Sequence, residues 1–513
     1  MLSYEPLTPT SFLERSATVF GPRLAVVDGG LELTYAALWD RVQRLAGALA
    51  SAGVRPGDRV AVLAANGHLL LESTFGVPAA GAVMVPLNIR LSASELAYIL
   101  DHAGVSVLLH DDALTGLATE AAGTGVRRLV PAAEYEKLVA AAEPLLVRVE
   151  DELAPLSINY TSGTTGRPKG VVYHHRGAYL QALAMALHTR LDAGSAYLWT
   201  LPMFHCHGWC FPWAVTLAGA RHVCLPRMDP GQAWALIREH RVTHLCGAPT
   251  VLTSLLAHEH APAGVGGGAL DPRLLACVGG APPSPALLGR ALQAGIDVIH
   301  LYGLTETYGP AVICQPQPEW RDLPVEESAA LTARQGVGNV IAQRVRVVGD
   351  DGRDVPADAA TIGEIAVRGN DVTIGYHRDP AATEKAAPDG WFRTGDLGVV
   401  HADGYVRIVD RAKDVIISGG ENIASVEVEN VLVSHPGVQE AAVVARPDPH
   451  WGEVPVAYVT LAAGAHATEA ELIEHVRARL ARFKAPKAVV FCELPKTSTG
   501  KIQKNVLRQR AAG

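Results

Sequence analysis

Tyr160-Thr161-Ser162-Gly163-Thr164-Thr165-Gly166-Arg167-Pro168-Lys169-Gly170 lies between an alternating strand pattern over 156–160 and a β-prone run over 171–173. A loop this rich in glycine and hydroxyl side chains can aim several backbone N–H groups at one polyanion, with Lys169 as a neutralising charge. It reads as a phosphate cradle whose candidate ligands are Thr161, Ser162, Gly163, Thr164, Thr165, Gly166 and Lys169. The Walker loop of kinases and ATPases is excluded. Pro168 precedes the lysine where glycine is required, and Gly170 follows where a Ser or Thr must hold magnesium.

Outward from the loop, amphipathic helical stretches alternate with short apolar runs such as Val60–Leu63 and Val105–Leu109, the pattern of βα units on mostly parallel sheets. The expected fold is α/β, with a large N-terminal domain of several subdomains over 1–410. Around 397–409 two strand patterns flank Asp403-Gly404, whose glycine supplies the positive φ of a tight turn. Four charges in Asp410-Arg411-Ala412-Lys413-Asp414 then precede a new αβ series, read as a small, mobile α+β domain over 411–513. Within it, Thr468-Glu469-Ala470-Glu471 is a capping box opening a helix in which Leu472, Ile473, Val476, Leu480 and Phe483 recur at helical spacing. The glycine-rich stretch 261–268 reads as a surface loop.

At 513 residues, 49% apolar and 19% charged, the chain has material for about three folding units. No run of about 18 uninterrupted apolar residues occurs, so no membrane span is expected. The first residues have no basic, then apolar, leader pattern and the last match no targeting signal, so a cytoplasmic location is expected. Seven scattered cysteines fit reduced, buried thiols, and the compact His205-Cys206-His207-Gly208-Trp209-Cys210 cluster lacks a separated second ligand pair for a metal. Net charge is −8, yet Arg477 to Arg510 holds ten basic residues against Glu493 alone. That local field suits a phosphorylated small molecule. Nucleic acid is not expected, because the stretch has only Phe483 and Phe491 for stacking. Of the nine lysines, Lys169, Lys413 and Lys501 fall in or beside glycine-marked motifs.

Several motifs follow in order: Gly279-Gly280-Ala281-Pro282, Tyr302-Gly303-Leu304-Thr305-Glu306-Thr307, Thr394-Gly395-Asp396, Asp410-Arg411-Ala412-Lys413-Asp414, Ser418-Gly419-Gly420-Glu421-Asn422, and Leu494-Pro495-Lys496-Thr497-Ser498-Thr499-Gly500-Lys501-Ile502. With the loop at 160–170, they closely resemble the signatures of the adenylate-forming superfamily, on its acyl-CoA synthetase and fatty-acid-CoA ligase branch. The resemblance runs from about residue 30 to 505. It implies ATP, Mg2+ and coenzyme A. Gly280, Ala281 and Pro282 would contact adenine, Tyr302 would stack on it beside Gly303, and Asp396 and Arg411 would hold the ribose. Thr305 would touch the α-phosphate and Glu306 would hold magnesium through a hard carboxylate oxygen. Lys413 falls at the family's hinge, and Gly419 and Gly420 would line the pantetheine arm. Lys501 would be the catalytic lysine, bridging the substrate carboxylate and the α-phosphate; Lys496 is read as a structural or solvent contact.

The chain stops twelve residues after Lys501 without a carrier domain, so an acceptor from outside is expected. Trp451 and Phe483 match coenzyme A contacts of related ligases. Ala485 stands where some relatives carry a larger polar residue, with Arg482, Lys484 and Lys487 as candidate substitutes at the nucleotide end. The segment 202–213 resembles the family's acyl pocket: His205 matches a residue beside the carboxylate, Trp209 a tunnel gate, and Gly279, Tyr308, Gly309 and Pro310 complete the lining. No Asp matches the amino-group anchor of amino-acid adenylation domains, which directs the reading away from α-amino acids. The bulky Trp209, Phe211, Trp213 and Tyr308 leave a short or medium aliphatic, a thioether or an aryl acid open. The expected activity is an ATP-dependent carboxylate:CoA ligase. A close alternative passes the acyl group to an amine, a distant one binds nucleotide without turnover, and a homodimer is left open.

Overall fold

The computed structural model describes residues 3–161, 167–262, 270–497 and 501–512. The expected loops at 162–166 and 498–500, and most of that at 261–268, lie outside the described residues.

Two large sheets carry most of the chain. In the first, strands Arg128–Pro131, Val105–His110, Arg59–Leu63, Val83–Pro86 and Pro155–Thr161 run parallel, and Lys169–His174 closes the edge antiparallel to Pro155–Thr161. The second has nine strands, with a parallel centre built from Ile296–Leu304, Leu274–Val278, His244–Gly247, Ala196–Leu198 and Arg221–Val223. Val60, Met84 and Tyr173 of the first sheet share one buried core with Tyr197, Trp199 and Ile299 of the second. A strand buried on both faces needs near-continuous apolar sequence, as Val60–Leu63 supplies.

A four-stranded antiparallel sheet follows, ending in the hairpin Phe392–Val400 and Val406–Arg411, with Gly404 at φ +81 in the turn. The last sheet begins at Ile416 and packs its own core of Val443, Ala457, Val428 and Leu472. Its helix Glu469–Arg477 starts on the Thr468–Glu471 capping box that the sequence specifies. It ends earlier than the apolar spacing suggests. Leu480 packs partly buried beyond the helix, and Phe483 stands 40% exposed in a 3-10 turn.

Candidate active site

The nucleotide motifs meet through strand register. Asp396 lies directly opposite Arg411 in the 392–411 hairpin, with Arg411 Nε 3.0 Å from Asp396 Oδ1. Tyr302, near the end of strand Ile296–Leu304, donates its hydroxyl to Asp396 Oδ2 at 2.7 Å. Among the described residues this buried carboxylate thus accepts the Tyr302 hydroxyl on one oxygen and faces the Arg411 guanidinium with the other, and an ionised carboxylate has lone pairs beyond these for a ligand hydroxyl.

Lys501 comes to the same place from the far end of the chain. Burial, then the Arg411 guanidinium, push its ammonium down to about 8; Asp396 opposes this, while Lys413 and Lys504 add to it. Its charge also reaches His205, which burial and Lys501 hold down to about 4, so His205 is neutral. Lys501 thus stands within electrostatic reach of both the Asp396–Arg411 pair and His205. A backbone bond from Thr497 N to Lys501 O (2.7 Å) and a bond from Lys501 N to the Thr497 side-chain Oγ1 (3.1 Å) close its turn. Lys496 is tied to Glu440 at 2.7 Å.

Glu306 sits in the short turn Thr305–Thr307, and its Oε1 accepts the Tyr376 hydroxyl at 2.8 Å. The ring of Tyr376 lies under Lys169, whose Nζ is 4.7 Å from the centroid. Thr373 N donates to the Glu306 carbonyl at 2.8 Å. Nothing in the sequence marks Tyr376 or Thr373, since a contact between residues about seventy apart leaves no pattern in the spacing. Among the described residues no group of three His, Cys, Asp or Glu is arranged to hold a metal. A lone carboxylate is the donor set of an ion bound mainly through phosphates and water.

The segment expected to line the acyl pocket is built on an unusual turn. Cys206, His207, Gly208, Trp209 and Cys210 are consecutively left-handed, with φ of 43, 40, 57, 54 and 63. Four of them carry a Cβ, a conformation costing roughly 1–2 kcal/mol per residue. The surroundings hold it: His207 Nε2 lies 2.9 Å from Thr74 Oγ1, Cys210 Sγ donates to the Tyr308 carbonyl at 3.6 Å, and Cys206 Sγ is 3.3 Å from Thr305 Oγ1. The Trp209 indole fills a slot between Gly279 and Gly309. A Cβ on either glycine would come within 3.0 Å of the indole.

Three aromatics expected around the pocket, Tyr308, Phe211 and Trp213, are instead wholly buried. Tyr308 is fully enclosed, stacked on Tyr173 at 3.9 Å with its hydroxyl accepting His174 N at 2.7 Å, so it supports the wall instead of lining it. Its left-handed φ of +59 turns the chain at that point. Phe211 stacks on Tyr197 and Trp213 meets His207 edge-on, both wholly buried in the shared core. Pro310 is buried, and its carbonyl accepts from Gln181 and Asn339. Gly280, at φ +81, opens the turn continuing through Ala281 and Pro282 after strand Leu274–Val278.

On the last sheet, Gly419 has a left-handed φ of +59, and a Cβ there would meet the Trp451 ring at 2.7 Å. Trp451 is 46% exposed, with Gly420 in the adjoining turn. Lys484 is engaged by Glu427 at 2.6 Å, which leaves Arg482 and Lys487 as the exposed cations of that group.

The AMP-binding enzyme family matches residues 13–377, and the AMP-binding enzyme C-terminal domain matches 427–501. The chain belongs to this adenylate-forming family, on its acyl-CoA ligase branch. It is 42% identical to a peroxisomal acetate/butyrate–CoA ligase of Arabidopsis thaliana, covering 99% of this chain and 95% of that one. It is 43% identical to a 2-methylpropanoate–CoA ligase of Humulus lupulus, over 100% and 96%. Among solved structures, ATP-bound MatB from Rhodopseudomonas palustris superposes with a TM-score of 0.86 at 30% identity, over 98% of both chains.

Proposed function

We propose that this protein, an AMP-forming acid–thiol ligase, activates a short aliphatic carboxylic acid and transfers the acyl group to coenzyme A. The observation that carries the proposal is the Tyr302–Asp396–Arg411 cluster, three residues of distant motifs joined at 2.7 and 3.0 Å, with Lys501 within electrostatic reach of Asp396 and Arg411 and of His205. Asp396 and Arg411 would hold the ribose. Thr161, Lys169 and Thr305 would face the phosphates, with Ser162–Gly166 as their expected loop neighbours. Magnesium held by Glu306, itself oriented by Tyr376, would supply charge neutralisation for the departing pyrophosphate.

In the first half-reaction a carboxylate oxygen attacks the α-phosphorus, the bond to the bridging oxygen of the β-phosphate breaks, and pyrophosphate leaves. Two anions must approach. The Lys501 ammonium would lower that repulsion and stabilise charge on the pentavalent phosphorus. Neutral His205 adds no competing cation and can donate one N–H to the acid. In the second half-reaction the coenzyme A thiolate attacks the acyl carbonyl and AMP departs. The thiol would approach along Gly419, Gly420 and Trp451, after the 411–513 unit turns about Lys413.

For the acid, Trp209 wedged between Gly279 and Gly309 leaves little depth beyond the carboxylate. The relatives named for acetate, butyrate and 2-methylpropanoate support the same size class. Pyrophosphate release across short, medium-chain and aromatic acids, each with and without coenzyme A, tests the reading. It requires the highest turnover with short acids, strong stimulation by coenzyme A, and a thioester product. Turnover indifferent to coenzyme A would transfer the acyl group to an amine, and preference for an aryl acid would overturn the size class.

A further inference from the structure

Asp410, the penultimate residue of strand Val406–Arg411, is 1% exposed and is used by none of the chemistry above. Its Oδ2 accepts two hydrogen bonds from beyond the proposed hinge, Ser425 N at 2.5 Å and Ser425 Oγ at 2.7 Å. Its Oδ1 accepts Arg411 N at 2.7 Å, which fixes the carboxylate to its own strand. Ser425 opens the helix Ser425–Val433, whose N-cap, Ala424, offers no side-chain acceptor. The carboxylate therefore caps a helix of the 411–513 unit from outside that unit, where negative charge is favoured.

The chain of contacts continues toward the active lysine. Ser425 Oγ, having donated to Asp410, accepts from Lys504 Nζ at 2.6 Å, and Lys504 also pairs with Glu429 at 2.7 Å. Glu429 Oε1 in turn accepts Val443 N at 2.7 Å, so the lysine is anchored to the sheet of its own unit. Lys504 is the first residue of helix Lys504–Ala512, three residues after Lys501. A second tie runs from Arg508 on that helix to Asp414, just past Lys413.

We propose that Asp410 is a positioning residue for adenylation: through Ser425 and Lys504 it sets the start of the last helix, and so holds Lys501 at the Asp396–Arg411 pair. The inference rests on the role given to Lys501 and the hinge at Lys413. Hydrogen bonds that cross a pivot are broken by a large rotation about it, so the latch stabilises this pose alone. Bonds to a charged partner of this kind shift an equilibrium by about tenfold or more when removed.

The test compares Ser425→Ala, Ser425→Thr and Asp410→Asn with the wild-type chain. Acid-dependent ATP–pyrophosphate exchange should fall about tenfold in Ser425→Ala and Asp410→Asn, while thioester formation from supplied acyl-adenylate stays within about twofold. Ser425→Thr, which keeps the hydroxyl, should restore exchange. Trypsin cleavage after the exposed Lys413 should quicken by a similar factor in the two disabled variants, a readout that needs no turnover. Exchange unchanged, or both half-reactions reduced in proportion, overturns the latch. A wild-type chain without exchange on any acid overturns the ligase reading instead, and the latch is then decided by the cleavage rates.

Discussion

Lys501 should impose an alkaline limit on adenylation well below that of an ordinary lysine. Its ammonium is partly buried beside Arg411, Lys413 and Lys504, against which Asp396 is the one counter-charge in the set, and its pKa falls from 10.5 to about 8. In the proposed role the protonated form acts, so activity should be complete below the lowered pKa and lost as pH rises through it. With a pKa of about 8, about one tenth of the lysine remains charged near pH 9, whereas an unperturbed side chain would be almost fully charged there. In kcat/KM for ATP, measured by pyrophosphate exchange, the limb should centre near 8 and fall about tenfold per pH unit beyond it. Bound triphosphate favours the charged form, so the limb in kcat should move upward. Lys501→Arg retains a charge throughout, and its residual exchange should be flat over the same range. Competitive acetylation of the free protein would read the same midpoint at the amine itself. A kcat/KM profile level to about pH 10, or the same limb in Lys501→Arg, would refute the reasoning.

Trp209→Ala should open the slot between Gly279 and Gly309, raising kcat/KM for medium-chain acids at least about tenfold relative to acetate in a chain-length series, since each buried methylene contributes roughly 1–3 kcal/mol. Tyr376→Phe leaves Glu306 unheld and should raise KM for magnesium–ATP about tenfold, with KM for the acid unchanged in steady-state kinetics. In the first sheet's neighbourhood, burial alone would lower His68, but hydrogen bonds to Asp28 and Glu136 raise it from 6.5 to about 10. His68 in turn is the main cause holding Glu136 at about 2 in place of 4.5. The His68 contribution is complete below 6.5 and lost as pH rises through 10; that of Glu136 is complete above 4.5 and lost as pH falls through 2. His68→Gln should therefore cost about 2 kcal/mol in denaturant titrations near pH 6 and progressively less toward pH 10.

What local chemistry dictates was legible in the residues. The Thr468–Glu471 capping box starts its helix, and Asp403-Gly404 turns its hairpin, with the consequence that Asp396 and Arg411 face each other. The motif residues Tyr302, Asp396, Arg411, Lys501 and His205 could be named because each belongs to a short, ordered signature. Features decided by tertiary packing could not. Leu480 and Phe483 keep helical spacing past the helix end at Arg477, and periodicity does not register where a chain turns away. Trp213, Phe211 and Tyr308 have the same composition signal as pocket aromatics, yet burial places all three in the core. The left-handed run 206–210 contains a single glycine, so nothing in its residue types forecasts a backbone that only its packing sustains. The Tyr376–Glu306 and Asp410–Ser425 bonds likewise join residues whose separation carries no pattern.

The most direct test of the account is the pair of half-reactions in Lys501→Ala. Acid-dependent ATP–pyrophosphate exchange should fall by several orders of magnitude, while acyl-CoA formation from supplied acyl-adenylate proceeds at a rate close to wild type. Exchange that survives the substitution, or loss of both half-reactions together in a folded variant, would contradict the role given to this lysine and with it the reading of the site.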